Sequence, residues 1–301
     1  MDERAEQVAL VALLQSRPQK ISWSEIVAEV VASGGAVDLW NRLASGTLIE
    51  QPGGPDPLAQ AAHHLDRWRA EGTQFQTILD SRYPTRLRGV HEAPPIVFFR
   101  GALRRDDPAV SVVGSRNASD KGLRIAGGIA TELVSHGLTV AAGLAAGIDT
   151  AAHRAALDAG GRTVAVIGTG INRVYPAANR TLQDEIAQRG LVLSQFWPDA
   201  PPQKHTFLMR NATMSGYGLA TVVVEAGEQS GARIQARLAV VHGRPVILTD
   251  LVVENNEWAK ALIGRPGVHI ATGLREVAAA IQQILDSQAA MENTLHRLVS
   301  A

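Results

Sequence analysis

From Val110 onward the chain alternates short unbroken apolar runs with longer stretches whose apolar residues recur at helical spacing. The runs fall at 110–113, 138–142, 163–167, 191–194, 220–224, 245–248 and 268–270, with helical patterns such as 121–136 and 234–241 between them. A strand that is apolar on both faces must be covered on both faces, and strand–helix alternation supplies the cover. The pattern predicts an α/β fold: a doubly wound, mostly parallel sheet of extended Rossmann-like type.

The first third reads differently. Apolar residues between Ala5 and Leu14 keep helical spacing, and Pro18 closes that helix. Ser22-Trp23-Ser24-Glu25 can cap a second helix running to Val31, where Gly34 and Gly35 end it. The breaker cluster 51–57 precedes another helix at about 58–71. Residues 1–72 are therefore expected to form a small helical module, and 73–101 a connector with short strands at 75–79 and 96–100. The Rossmann-like domain is expected over 102–290, with a tail over 291–301. Residues from Glu276 to about Ser300 read as helix with a frayed end.

Composition narrows the chemistry. The 301 residues include 29 Lys plus Arg and 29 Asp plus Glu, so no whole-protein basic field exists and any anion site must be local. With no cysteine, disulfides, thiolate zinc sites and cysteine nucleophiles are excluded. The charged start and the lack of a long apolar run point to a cytoplasmic protein with no membrane partner.

In a doubly wound sheet, ligands bind beyond the carboxyl ends of the strands. Gly114-Ser115-Arg116 ends the first run and Ser119 opens a helix, so free amides, a hydroxyl and a forked cation can meet a phosphate there. The plainer alternative is a turn, a cap and a surface charge. Gly143 and Gly147 let the backbone approach a ligand, with Asp149 and His153 following as ligand groups or as a cap and a packed imidazole. Gly168 and Gly170 begin like a dinucleotide fingerprint, but Arg173 stands at the last glycine and the next strand ends Leu193-Ser194-Gln195, without an acidic ribose anchor. Tyr175-Pro176 and Asn179 are expected to shape that loop. Strand 220–224 delivers Glu225 to the crevice, and Ser230-Gly231 offer a second anion seat. Finally, Lys204, Phe207, Arg210 and Asn211 interleave cations with a ring, which suits a nucleic-acid strand if the ring is exposed and a core plug if it is not. GxxxxGK[ST], GxSxG and HExxH are all missing, so no catalytic residue, metal or cofactor is expected.

These motifs, in this order, resemble the DprA/Smf family over roughly residues 75–250. The features are Gly114, Ser115, Arg116, Ser119 and Gly122; Ala145, Gly147, Ile148, Asp149 and His153; the stretch 160–179; Phe207, Arg210 and Asn211; and 222–232, preceded by 80–101. The resemblance implies a non-catalytic homodimer that binds single-stranded DNA with little sequence preference and helps load a RecA-type recombinase during DNA uptake. It implies a pocket in which Ser115, Arg116, Lys204 and Phe207 grip the strand, joined by Gly114, Ser119, Gly143, Gly147, Arg210, Asn211, Ser230 and Gly231. Asp149, His153, Gly168, Gly170 and Glu225 would shape that pocket. The chain departs from the family at Gln195 (usually Glu), Leu208 (Pro), Ala212 (Arg) and Gln235 (Thr), and its last third is expected to have no room for a C-terminal winged helix. The alternatives are a nucleotide sensor or a phosphoribohydrolase-like enzyme of the same superfamily. Against the latter, the region that would hold PGGxGT reads EAGEQSGA.

Overall fold

The computed structural model describes residues 2–45 and 56–299. Positions 46–55, with most of the breaker cluster, and 300–301 of the expected tail lie outside the described residues. The chain opens with helices α1 (Glu3–Ser16), α2 (Trp23–Ser33), α3 (Val37–Ser45) and α4 (Pro57–Ala70). Then come β1 (Gln74–Thr77), α5 (Thr85–Arg88), β2 (Ile96–Gly101), β3 (Ala109–Val113), α6 (Asp120–Ser135), β4 (Thr139–Ala142), α7 (Ile148–Asp158), β5 (Thr163–Val166), α8 (Arg180–Arg189) and β6 (Leu191–Ser194). The last part holds α9 (Lys204–Tyr217), β7 (Ala220–Val223), α10 (Gly231–Val241), β8 (Val246–Thr249), α11 (Asp250–Asn255), α12 (Glu257–Lys260), β9 (Val268–Ala271) and α13 (Leu274–Val299).

The nine strands of the described residues form one sheet in the order β1-β2-β6-β5-β4-β3-β7-β8-β9. From β6 to β9 all pairs are parallel, and β1 and β2 add an antiparallel edge, β2 pairing with β6. The stretch read as a connector thus begins the sheet at Gln74, because Ile96 to Phe99 are apolar enough to be buried beside β6. Helix α13 runs unbroken to Val299, in line with the helical pattern read from Glu276 to about Ser300 and past position 291, where the domain was expected to give way to a tail.

Alternate residues of each strand serve opposite faces. Val110 and Val112 of β3 pack with Ile129 and Leu133 of α6 and Ile281 of α13, whereas Ala109 and Val113 belong to the core of the other face. The N-terminal helices join that second core. Trp68 of α4 stacks on Trp197 (5.6 Å) and meets Phe98 of β2 edge-on (5.0 Å). The Ser22–Glu25 pair forms a reciprocal capping box at the start of α2. Glu6 of α1 accepts hydrogen bonds from the Ala36 and Val37 amides at the start of α3, satisfying donors that the helix itself leaves free.

Candidate nucleic-acid interface

The sheet order changes direction at β3. Strands β4 to β6 run away to one side and β7 to β9 to the other, so the loops leaving β3 and β7 part and open a crevice. Its volume is ≈ 750 Å³. Gly114, Ser115 and Arg116 line it from the end of β3, Ser230 and Gly231 from the start of α10 after β7, and Lys204, Phe207, Arg210 and Asn211 from α9. Four of the sequence motifs meet here: these three, and Asp149 of α7.

The β3 turn is pinned from beneath. The Ser115 amide donates to Glu225 O (2.7 Å), and the Ile148 amide donates to Ser115 O (3.2 Å). Gly147, at φ 77°, brings its own backbone against the Ser115 and Arg116 carbonyls, where any side chain would collide. With the turn fixed, Arg116 projects outward. Its guanidinium carbon lies 5.4 Å from the centroid of Phe207, a cation–π distance.

Phe207 is half-buried and is not a core plug. Its ring lies between Arg116 and Tyr175 (ring centroids 5.4 Å apart) and packs on Gly168, where a Cβ would meet Phe207 Cδ1 at 2.5 Å. Helical spacing explains the neighbours: Lys204, Phe207, Leu208 and Asn211 fall on one face of α9, which lines the crevice. Arg116 and Lys204 are exposed and have no ion-pair partner among the described residues.

Arg210 has a different situation. It is 5% exposed and forms the crevice floor, donating from Nη1 to Gly143 O (2.6 Å) and Val166 O (2.7 Å) and from Nε to Asn211 Oδ1 (3.1 Å). Gly143 leaves the room that the guanidinium fills. Burial holds the Arg210 pKa below its ordinary value, while Asp149 opposes the shift. Asp149 is buried too. Burial pushes its carboxyl up, Arg210 draws it down, and it accepts from the amides of Gly143 (3.0 Å) and Ala145 (3.3 Å). Arg210 and Asp149 build the floor, whereas Arg116 and Lys204 are exposed above it.

Several expected residues do not line the crevice. Ser119 caps α6 through the Gly122 amide and donates its hydroxyl proton to Glu225 Oε2 (2.6 Å), so both side chains are engaged with each other. Glu225 also accepts from the Ser119 amide (3.0 Å), a clasp that holds the β3 and β7 loops together. Gly170 abuts the Trp197 and Pro198 carbonyls. His153 is fully buried behind β4 and β5, with Nδ1 2.7 Å from Thr163 Oγ1. Sequence reasoning missed Tyr175 as a crevice residue. It is 42% exposed at the rim beside Phe207, and only the tertiary fold of the loop that carries it brings the two rings together.

Comparison with known proteins agrees with this architecture. A DNA processing protein DprA from Streptococcus pneumoniae is 43% identical over 175 residues, covering 56% of this chain and 60% of that protein. A Protein Smf from Synechocystis is 38% identical over 187 residues, covering 60% of this chain and 47% of the other. The matched stretch is thus about half to three-fifths of these relatives. The X-ray structure of the S. pneumoniae DprA superposes with a TM-score of 0.65 at 31% identity, covering 92% of this chain and 93% of that one. DNA processing protein A from Helicobacter pylori, described with a single-stranded-DNA binding mode, shares the fold at a TM-score of 0.61 and 22% identity over 70% of this chain and 96% of its own. Residues 74–282 match the family described as DNA recombination-mediator protein A, and the chain belongs to that family.

Proposed function

We propose that the chain binds single-stranded DNA across the β3–β7 crevice without catalysing a reaction, and that it acts in DNA processing by presenting that strand to a RecA-type recombinase, as a homodimer. The observation that carries the reading is the pairing of two exposed cations without ionic partners among the described residues, Arg116 and Lys204, with the half-buried Phe207 ring between the crevice walls. Cations take successive phosphates and a ring takes a base of any identity, which gives affinity without sequence preference. The binding mode described for the H. pylori protein supports the same reading.

The test is a binding series on single- and double-stranded DNA across salt concentrations. Wild type should prefer single strands. Arg116→Ala/Lys204→Ala should bind more weakly at unchanged melting temperature, with the salt slope reduced by about 0.7 for each phosphate no longer neutralised. Unchanged affinity and slope in the folded double variant would show that the crevice is not the DNA site. Mononucleotide in the same assay separates the alternatives: a sensor saturates with it, an enzyme releases base from it, and a DNA binder does neither.

A further inference from the structure

The crevice takes only one side of α9. On the other side, Met209 and Ala212 line a second cavity of ≈ 240 Å³, closed by Trp23 from α2 and by Ala93, Pro94 and Pro95 ahead of β2. Pockets for drug-sized ligands run about 300–1,000 Å³, so this one suits a single small ring system.

Its walls are fixed. Trp23 Nε1 donates to Leu14 O at 3.2 Å, and its indole meets Trp197 edge-on at 5.7 Å. Pro94 O accepts from the Tyr83 hydroxyl at 2.7 Å. One edge is polar. Gln195, 5% exposed, lines the cavity; its Oε1 accepts from Thr213, and its amide nitrogen has no hydrogen-bond partner among the described residues. Ser24, His91 and Glu92 also reach the lining, Glu92 with its Oε2 held by His242 Nε2 (2.9 Å). A mostly apolar lining that includes the unpaired Gln195 amide suits a nucleobase, which buries its faces and presents donors and acceptors at its rim.

The cavity adjoins the crevice. Leu208 lines the crevice and Met209 the cavity. They are consecutive residues of α9, 47% and 41% exposed, so the two spaces lie on neighbouring faces of that helix. A polymer with one nucleotide at Phe207 carries its neighbours toward it. We propose that the Trp23–Met209 cavity is a second base site on the same DNA strand, and that the N-terminal helical module takes part in DNA binding by supplying its Trp23 wall. This rests on the crevice being the primary DNA site.

The experiment uses the full chain and a short oligothymidylate in which one abasic nucleotide is walked along the sequence. Wild type should show two positions where the missing base weakens binding by about fivefold or more, the lower end of base–aromatic stacking. Trp23→Leu should erase the penalty at one position and keep it at the other. Phe207→Ala should do the reverse. Should Trp23→Leu fail to fold, Met209→Asp, a change at an exposed position, carries the same expectation. An abasic profile in Trp23→Leu or Met209→Asp identical to wild type overturns the second base site even if Arg116→Ala/Lys204→Ala still weakens binding. If that crevice pair leaves affinity intact, the primary reading falls and the second site with it.

Discussion

At the end of the sheet where the strands begin, Asp107 is fully engaged. It accepts from Thr139 Oγ1, from the Tyr217 hydroxyl (2.8 Å) and from Arg162 Nε (2.9 Å), while Arg162 also donates to Ala102 O and Arg86 Nη1 donates to the Asp107 carbonyl (3.1 Å). At the opposite end, Arg116 and Lys204 stand in the open beside a ring. Both ends combine arginine, a hydroxyl and an aromatic side chain. One end satisfies its polar groups internally and so ties the β3, β4, β5 and β7 entries together. At the other, Ser115 Oγ accepts only the Asn117 amide, and Arg116 and Lys204 have no ion-pair partner among the described residues, which is what the proposed DNA site requires. The state of the hydrogen-bond inventory, rather than residue type, separates structure from function here.

The comparison breaks most visibly at Asp107. Asp107→Ala removes the acceptor of three groups and leaves Arg162, with a side chain 10% exposed, without its counter-charge. Removing one partner of a buried charged pair costs about 3–5 kcal/mol. Denaturant titration should show a loss of that order, while DNA affinity per folded molecule stays at the wild-type level. A variant that keeps its stability, or one that loses DNA binding while folded, would erase the distinction between the two ends.

The next effect lies at the crevice. Phe207→Ala should cost about 1–3 kcal/mol of single-stranded-DNA affinity with the salt slope unchanged, because a ring contributes stacking and no charge. Its melting temperature should change little, since the ring packs on the rim and not in the core. A drop in melting temperature that accounts for the weaker binding would instead make Phe207 a structural residue and leave Tyr175 as the ring at the rim open to a base.

Most of the scaffold was readable because its signals are local. Unbroken apolar runs mark the parallel strands, and Ser22–Glu25 announces the start of α2. The motifs after the strands also led to the crevice, since strand ends in such a sheet are forced to one side. What the sequence could not give was the partner of each polar group. Arg116 and Arg210 are the same residue type in motifs that meet at the crevice, yet one is exposed and the other is buried in the floor against two carbonyls. Ser119 and Glu225 looked like independent crevice groups, and they hold each other. The second role of α9, toward Trp23, depends on how the N-terminal helices dock, which no local pattern encodes.

His153 provides the smallest test and belongs with the closed end. Thr163 Oγ1 gives its proton to Val140 O (2.7 Å), so it can only accept from His153 Nδ1, which must carry the imidazole proton. Nε2 is then a bare lone pair, buried and without a hydrogen-bond partner among the described residues. Burial disfavours adding a proton there and the Arg210 charge adds to the penalty, with the Ala142 backbone opposing them only in part, so the folded-state pKa falls from 6.5 to about 3. The unfolded chain protonates this histidine below pH 6.5 and the folded chain does not. Folding stability is therefore unaffected above that value and declines as the pH falls from 6.5 toward 3. Between pH 7.5 and 5.5 the loss from this one group should be about 1.4 kcal/mol. Urea titrations of wild type and His153→Gln at the two pH values isolate it, because the glutamine does not titrate and the remaining groups are common to both proteins. Wild type should lose more stability on acidification than the variant by that amount. An identical pH dependence in the two proteins would mean that the imidazole finds a proton-accepting partner in the folded state, and the closed end would then contain a group as open as those of the crevice.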